Sequence, residues 1–243
     1  MSPRKPAALR GDGQDLRGHL IATAARLLAE RGSAGLAVRD IAREAQVADG
    51  VLYNYFEDKD DLLAHALLAH VGSVMTDRAP APRAGEGTVA GNLRAFIEDG
   101  LDALSRLAPV FAGLVSQPGV LARFHAMVGG DAAFGADMPG GGERAEGPAG
   151  RGGQGDDRPA GEDAGGPRGL PDILRGYLAA EQRTGRIRAG ADVEAAVTLI
   201  VGTIHGEILP RVMFAPPGSQ VTTPPDLPGR IAATVLAGIA PRE

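Results

Sequence analysis

Two tyrosines and a lysine stand close together in the segment VADGVLYNYFEDKDDLL, which spans residues 47–63. They are Tyr53, Tyr55 and Lys59, two of the chain's three tyrosines and one of its two lysines. A tyrosine offers a hydroxyl on a stiff ring that loses little entropy on binding, and a lysine is a point charge suited to phosphate oxygens. These residue types at this spacing predict contacts to a phosphate backbone.

The composition limits what else the chain can bind. It has no cysteine, which excludes disulfides and thiolate metal sites, and its net charge of -5 argues against a general polyanion binder. Any contact with nucleic acid must therefore be local. The first 18 residues lack the apolar core of a secretory signal, and no run of about 18 to 20 apolar residues predicts a membrane span, so we expect a cytoplasmic protein.

Other chemistry finds little support in the spacing of polar residues. His205 and Glu207 face apart on a helix, and His65 and His70 have no further ligand nearby, so we expect no metal and no cofactor. No nucleophile, base and orienting group can be assembled, which predicts that the chain is not an enzyme. The glycines of GGGERAEGPAGRGG follow no strand and open no helix, so a nucleotide-binding loop is not predicted.

The elements around the tyrosines are short helices. A 3.6-residue apolar period predicts a first helix over residues 17–30 and a second over 38–45, and a third helix points Leu52 and Phe56 inward. Asp58 marks the start of a fourth. This is a helix-turn-helix arrangement, whose last member enters the DNA major groove. The residues opposite the inward pair, and one from the second helix, are the candidates for DNA contact: Asp49, Gly50, Tyr53, Asn54 and Arg39.

The run LAVRDIAREAQVADGVLYNYFEDKDDLL, with IATAARLLAERG before it, resembles the TetR family of bacterial repressors. The resemblance is close over about residues 18–68 and only architectural beyond residue 70. It implies base contacts by Asp49, Gly50 and Val51 with help from Arg39. It also implies phosphate contacts by Tyr53, Tyr55 and Lys59.

Four positions depart from the pattern of that family. Ala37 and Ala48 stand where Ser or Thr is usual, so two helix N-caps worth roughly 1 kcal/mol each are missing. Gln46 replaces the usual turn glycine, which predicts a less comfortable backbone. Asp49 is acidic at a position expected to face a base. Together these departures predict a modest DNA affinity.

Helical periodicity returns after a Pro/Gly break and predicts an all-α chain without strands or repeats. We expect a flexible basic arm at 1–16, a three-helix DNA-binding domain at 17–64, and a helical effector-binding and dimerisation domain at 65–243. Within the last, residues 129–169 are rich in glycine and almost free of large apolar residues, which predicts a disordered loop.

The second domain is expected to bind a ligand and a second copy of the chain. Two helices from each copy would form a four-helix bundle, because the helix at 193–213 is apolar on too many sides for one core. A central buried helix in a monomer is the alternative. The predicted interface consists of Val197, Ile200, Val201, Ile204, Ile208, Ile231 and Val235. The candidate ligand-binding residues are Phe96, Phe111, Phe124, Met127, Tyr177 and His205.

These observations predict a homodimeric repressor that a small, largely apolar ligand releases from a palindromic operator. A ligand-independent activator or architectural protein of the same family is the alternative within DNA binding. An enzyme with a DNA-binding head is the alternative from another class.

Overall fold

The computed structural model describes residues 13–32, 36–128, 169–214 and 221–239, and these residues form helices and no strand. One short 3-10 helix, which we call the reading helix, spans Asp49–Asn54. The α-helices are α1 Gly13–Arg31, α2 Val38–Glu44, α3 Lys59–Thr76, α4 Val89–Leu114, α5 Pro118–Met127, α6 Leu170–Arg183, α7 Val193–Phe214 and α8 Leu227–Ile239. The predicted all-α class is confirmed.

The first core lies beneath the reading helix. Leu27 of α1, Ile41 of α2 and Leu67 of α3 are fully buried in it, together with Leu52 of the reading helix. The end of α4 and all of α5 also belong to this core, through residues such as Phe124. The first core thus includes helices that the sequence assigned to the second domain, and α3 runs unbroken through residues 64 and 65, where the predicted domain boundary lies.

The second core is formed by the rest of α4 with α6, α7 and α8, and Ile97, Leu178, Ile200 and Ala232 are buried there. At Gly100 of α4, an added Cβ would lie only 2.9 Å from Cδ1 of Ile204. The glycine therefore permits the close crossing of α4 and α7.

Helix α4 passes from one core to the other. Ala108 belongs to the second core and Val110 to the first, and Pro109 lies between them inside the helix. Proline has no backbone N–H, so one hydrogen bond of the helix is absent at this boundary.

The starts of the helices agree with their capping residues. The carboxylate of Asp58 accepts from the backbone N–H of Asp61 at 2.9 Å and so caps α3, which begins where the sequence predicted. Ala37 and Ala48 occupy the N-cap positions of α2 and the reading helix, and neither provides a side-chain cap. Helix α1 begins at Gly13, four residues before the predicted start.

Helix α7 corrects the expectation that no run could span a membrane. Among the described residues it is long and apolar enough to do so by length and composition alone. The core helix of a soluble protein passes the same test, and α7 packs Ile200, Ile204 and Ile208 into the second core.

The predicted disordered loop at 129–169 lies outside the described residues except for Gly169, as do residues 1–12 of the predicted basic arm.

Candidate DNA-binding surface

The turn before the reading helix has an unusual backbone. Gln46 has φ 58°, and it is the one residue other than glycine with a positive φ among the described residues. The N–H of Val47 then donates to the carbonyl of Ala42 at 2.9 Å, which folds the chain back toward α2. The less comfortable backbone that the sequence predicted at Gln46 is confirmed.

The reading helix is narrower than the α-helix that the sequence predicted. It is six residues long, and in a 3-10 helix positions i and i+3 align. Gly50 and Tyr53 therefore share one face, while Leu52 and Tyr55 share another. Leu52 is buried and Tyr55 is half-buried against the first core, whereas Tyr53 is 60% exposed.

The remaining predicted contact residues lie at or near the surface. Arg39, Asp49 and Asn54 are exposed, and Val51 and Lys59 are half-buried. The side chains of Tyr53 and Lys59 line the same shallow depression, together with Val38, Phe56 and others. The structure thus brings together the most exposed tyrosine and the lysine of the predicted phosphate contacts.

Arg39 and Lys59 differ from their basic neighbours in being unpaired. Neither forms an ion pair or a hydrogen bond with another residue in the described ranges. By contrast, Arg43 lies 3.0 Å from a carboxylate oxygen of Asp40, and Arg26 lies 2.6 Å from one of Glu44. Two cations beside the reading helix therefore remain available to an external anion.

An acidic group, which we call the acidic turn, surrounds Lys59. It consists of Glu57, Asp58, Asp60 and Asp61. Arg123 of α5 lies against it, with guanidinium nitrogens 2.8 Å from Asp58, 3.4 Å from Glu57 and 3.9 Å from Asp61. Nothing in the sequence signals this contact, because 62 residues separate Arg123 from Asp61.

A second contact that the sequence did not predict joins α1 to α3. The guanidinium of Arg17 lies 2.7 Å from Nε2 of His65 and 5.1 Å from the centre of the Phe56 ring. Because a guanidinium can only donate, His65 accepts this bond and is neutral when it does so. Burial, followed by the charge of Arg17, lowers the pKa of His65, while Asp61 acts in the opposite direction.

The six candidate ligand-binding residues divide between the two cores and the surface. Phe111, Phe124 and Met127 pack into the first core. Phe96 and Tyr177 lie in the second core, and His205 is exposed, with Nδ1 2.8 Å from the carbonyl oxygen of Val201. Aromatic residues in amphipathic helices fill cores more often than pockets, and most of these do so here.

Tyr177 belongs to a buried polar cluster instead. Its hydroxyl accepts from Nδ2 of Asn92 at 3.0 Å, and burial raises its pKa to about 12. One turn further along α6, Glu181 is completely buried, and its carboxylate accepts from Arg186 and from the N–H of Gly85, each at 3.3 Å. This cluster fastens the loop before α4 to the end of α6.

The predicted dimer residues lie mostly inside one protomer. Five of the seven are buried in the second core: Val197, Ile200, Ile204, Ile208 and Val235. Val201 and Ile231 are half-buried. A different face of α7, which we call the exposed seam, is open: Leu199, Gly202, Gly206, Leu209 and Met213.

A groove of about 480 Å³ runs beside the exposed seam, between α7 and α8. Leu199 and Thr203 line it from α7, and Leu227, Ile231 and Thr234 line it from α8. Its walls are mostly apolar, so it presents to solvent a surface of the kind that a helix can cover.

Sequence similarity to known proteins is confined to the N-terminal part of the chain, whereas similarity to solved structures extends over nearly all of it. Residues 20–66 match the family of bacterial regulatory proteins described as the tetR family. The HTH-type transcriptional regulator HbdR of Aromatoleum sp. is 42% identical over 50 residues, which are 21% of this chain and 22% of that protein. The chain therefore matches only about a fifth of the length of this curated relative.

Two solved structures share the fold over nearly the whole chain. A TetR transcription regulator from Haloarcula marismortui has a TM-score of 0.58 at 15% identity, covering 94% of this chain and 100% of that one. The transcriptional regulator FadR from Bacillus subtilis, solved in complex with stearoyl-CoA, has a TM-score of 0.52 at 22% identity, covering 91% and 98%. At these identities the likeness concerns the fold.

Proposed function

We propose that this chain is a homodimeric transcriptional repressor acting in the cytoplasm. It belongs to the tetR family of bacterial regulatory proteins. It binds a palindromic operator, and a small, largely apolar ligand lowers its operator affinity. The observation that carries the proposal is the reading helix with an exposed Tyr53 and two cations beside it, Arg39 and Lys59, that have no ion-pair partner among the described residues.

The residues of this surface divide by the kind of contact they would make. Gly50 and Val51 would lie against base edges, and Arg39 would reach a base or a phosphate from α2. Tyr53, Tyr55 and Lys59 would contact phosphates, as donors without sequence preference. Asp49 and Asn54, both exposed, would border the bases. Asp49 could accept only from an amino group such as that of cytosine.

Titration of DNA binding against salt tests the phosphate contact. Lys59→Ala should weaken binding to all sequences alike and lower the slope of log K against log salt by about one unit. Arg94→Ala removes an equal charge from an exposed site on α4, in its second-core half, and should change neither quantity. An unchanged affinity and slope for Lys59→Ala would refute the assigned contact.

The exposed seam supports a dimer whose interface differs from the one read off the sequence. Its residues are spaced by 3, 4, 3 and 4, the pattern of a helix that packs lengthwise on another helix. Leu199 and Met213 are 61% and 70% exposed, and neither glycine of the seam has a neighbour within 4 Å of an added Cβ. The seam of a second copy would cover this face and the groove beside it, so that α7 and α8 of two chains form a four-helix bundle.

Light scattering distinguishes this interface from the monomer alternative. Leu209→Arg should convert the dimer to a folded monomer, because a charge in the seam would lose its water on association. Ala95→Arg, at an exposed position of α4, adds the same charge outside the seam and should leave the dimer intact. A wild-type protein that is monomeric at micromolar concentration would exclude the proposed bundle.

Ligand control would act by a population shift. A ligand that prefers one state of the dimer would hold the two reading helices at a spacing that does not match successive major grooves, which are about 34 to 36 Å apart. Stearoyl-CoA is a suitable first probe, since it is bound in the FadR structure that shares this fold.

A ligand-independent activator or architectural protein would bind DNA equally well with and without any such probe. An enzyme with a DNA-binding head would turn over a substrate. Operator titration with and without stearoyl-CoA separates the first of these from a ligand-controlled repressor.

A further inference from the structure

We propose that Arg123 is a positioning residue that masks the acidic turn, so that docking of α5 sets the electrostatic potential next to the phosphate contacts. This inference rests on the DNA binding proposed above. It adds a second way for the effector domain to lower operator affinity, through charge rather than through the spacing of the reading helices.

The acidic turn is badly placed for a protein that binds DNA. Four carboxylates and the ammonium of Lys59 give residues 57–61 a net charge of -3. Glu57 is 80% exposed and Asp58 is 51% exposed at the side chain. These charges lie within three residues of the lysine that is proposed to contact phosphate, and left alone they would repel the DNA backbone.

Helix α5 supplies the compensation. The guanidinium of Arg123 reaches three of the four carboxylates, and it is itself only 33% exposed. The fourth, Asp60, meets the start of the same helix: a Cβ added at Gly119 would lie 2.4 Å from Oδ2 of Asp60. Since the N-terminus of a helix carries partial positive charge, α5 opposes the charge of Asp60 as well.

The compensation by Arg123 depends on where α5 is docked. Helix α5 joins the first core through Val120 and Phe124, and it follows α4, whose other end is in the second core. A displacement of α5 that drew Arg123 away from Asp58 would expose the acidic turn to the DNA. Operator affinity would then fall even if the two reading helices kept their spacing.

The Arg123→Gln variant tests the inference with a fluorescent 30-base-pair duplex of mixed sequence. Binding should weaken about three- to tenfold at low salt, and the difference should shrink as added salt screens it. Arg175→Gln is the matched control, because Arg175 also bridges two carboxylates, Asp172 and Glu194, but lies on α6. It should leave binding unchanged.

A second substitution distinguishes two roles for Arg123: masking the charge of the acidic turn, or only holding α5 in place. Asp58→Asn removes a negative charge, and asparagine can still cap α3. In the Arg123→Gln background it should restore most of the lost affinity, although the ion pair is absent from both proteins. If Arg123 served only to tether α5, the double variant would stay as weak as Arg123→Gln.

The remaining outcomes are also decisive. If Arg123→Gln fails to fold, Asp58→Asn in the wild-type background still gives an answer, since it should bind the duplex at least as tightly as wild type and weaker binding would overturn the inference. Wild-type affinity in a folded Arg123→Gln variant at every salt concentration would overturn it while leaving the proposed function intact. A wild-type protein that does not bind this non-operator duplex at low salt would overturn the inference, whereas the proposed function is judged separately by the operator titration.

Discussion

Replacing Gln46 with glycine should stabilise the protein. Gln46 has φ 58°, its side chain is exposed, and it makes no side-chain hydrogen bond within the described residues. The left-handed region brings Cβ too close to the neighbouring carbonyl oxygen for any residue except glycine to adopt it readily. Gln46→Gly therefore removes a steric cost and gives up few contacts.

The expected gain is the difference between two opposing effects. The left-handed conformation costs a residue with a Cβ about 1 to 2 kcal/mol. Glycine also gives the unfolded chain more freedom, which lowers the stability by about 0.4 to 1 kcal/mol. The net gain is between about 0 and 1.6 kcal/mol with a midpoint near 0.8 kcal/mol, and for a chain of this size that midpoint corresponds to about 2 to 3 °C in Tm.

Urea unfolding and thermal melting at one protein concentration measure the effect, because the proposed dimerisation would make both depend on concentration. Ala22→Gly is the matched control: Ala22 is exposed in the middle of α1, where the helical backbone has a negative φ. There glycine has only its entropic cost, so stability should fall by about 0.5 to 1 kcal/mol. If the two variants change stability in the same direction, backbone strain at Gln46 is not the cause.

Three further substitutions test other parts of the structure. Ala37→Ser should add the missing N-cap of α2 and raise the free energy of unfolding by about 1 kcal/mol in urea titrations; no gain would mean that the position cannot use a cap. Because the pKa of His65 is lowered in the folded state, the unfolded chain takes up the proton first as the pH falls below about 6.5, and stability is lost. His65→Gln, which keeps an acceptor for Arg17, should lose less stability than wild type between pH 7.5 and 5.5, and parallel losses would contradict this reasoning. Glu181→Ala should lower the free energy of unfolding by about 3 kcal/mol, since it leaves Arg186 and a backbone N–H without their buried partner, whereas a near-neutral change would mean that solvent replaces the carboxylate.

The sequence predicted the N-terminal half in some detail because its signals are local. The missing caps at Ala37 and Ala48, the cap at Asp58 and the strained turn at Gln46 each depend on residues within four positions of one another. Caps and turns of this kind are decided by neighbouring residues, so tertiary contacts change them little.

The second half was harder because its helices are apolar on several sides. In α7 the residues facing the protomer core and the residues of the exposed seam are both apolar, so periodicity could not decide which of them meets a partner. The partition of α4 and α5 between two cores depends on contacts between distant parts of the chain. The contact of Arg123 with Asp58 is of the same kind.

Pro109 has a mechanical consequence. Helix α4 has 26 residues and is about 39 Å long. It is most easily bent at Pro109, because one backbone hydrogen bond of the helix is missing there, where α4 passes from one core to the other. A displacement of the segment from Val89 to Ala108 would therefore bend the helix at Pro109. The last residues of α4, which end at Leu114 and lead to α5, lie beyond this point and belong to the first core.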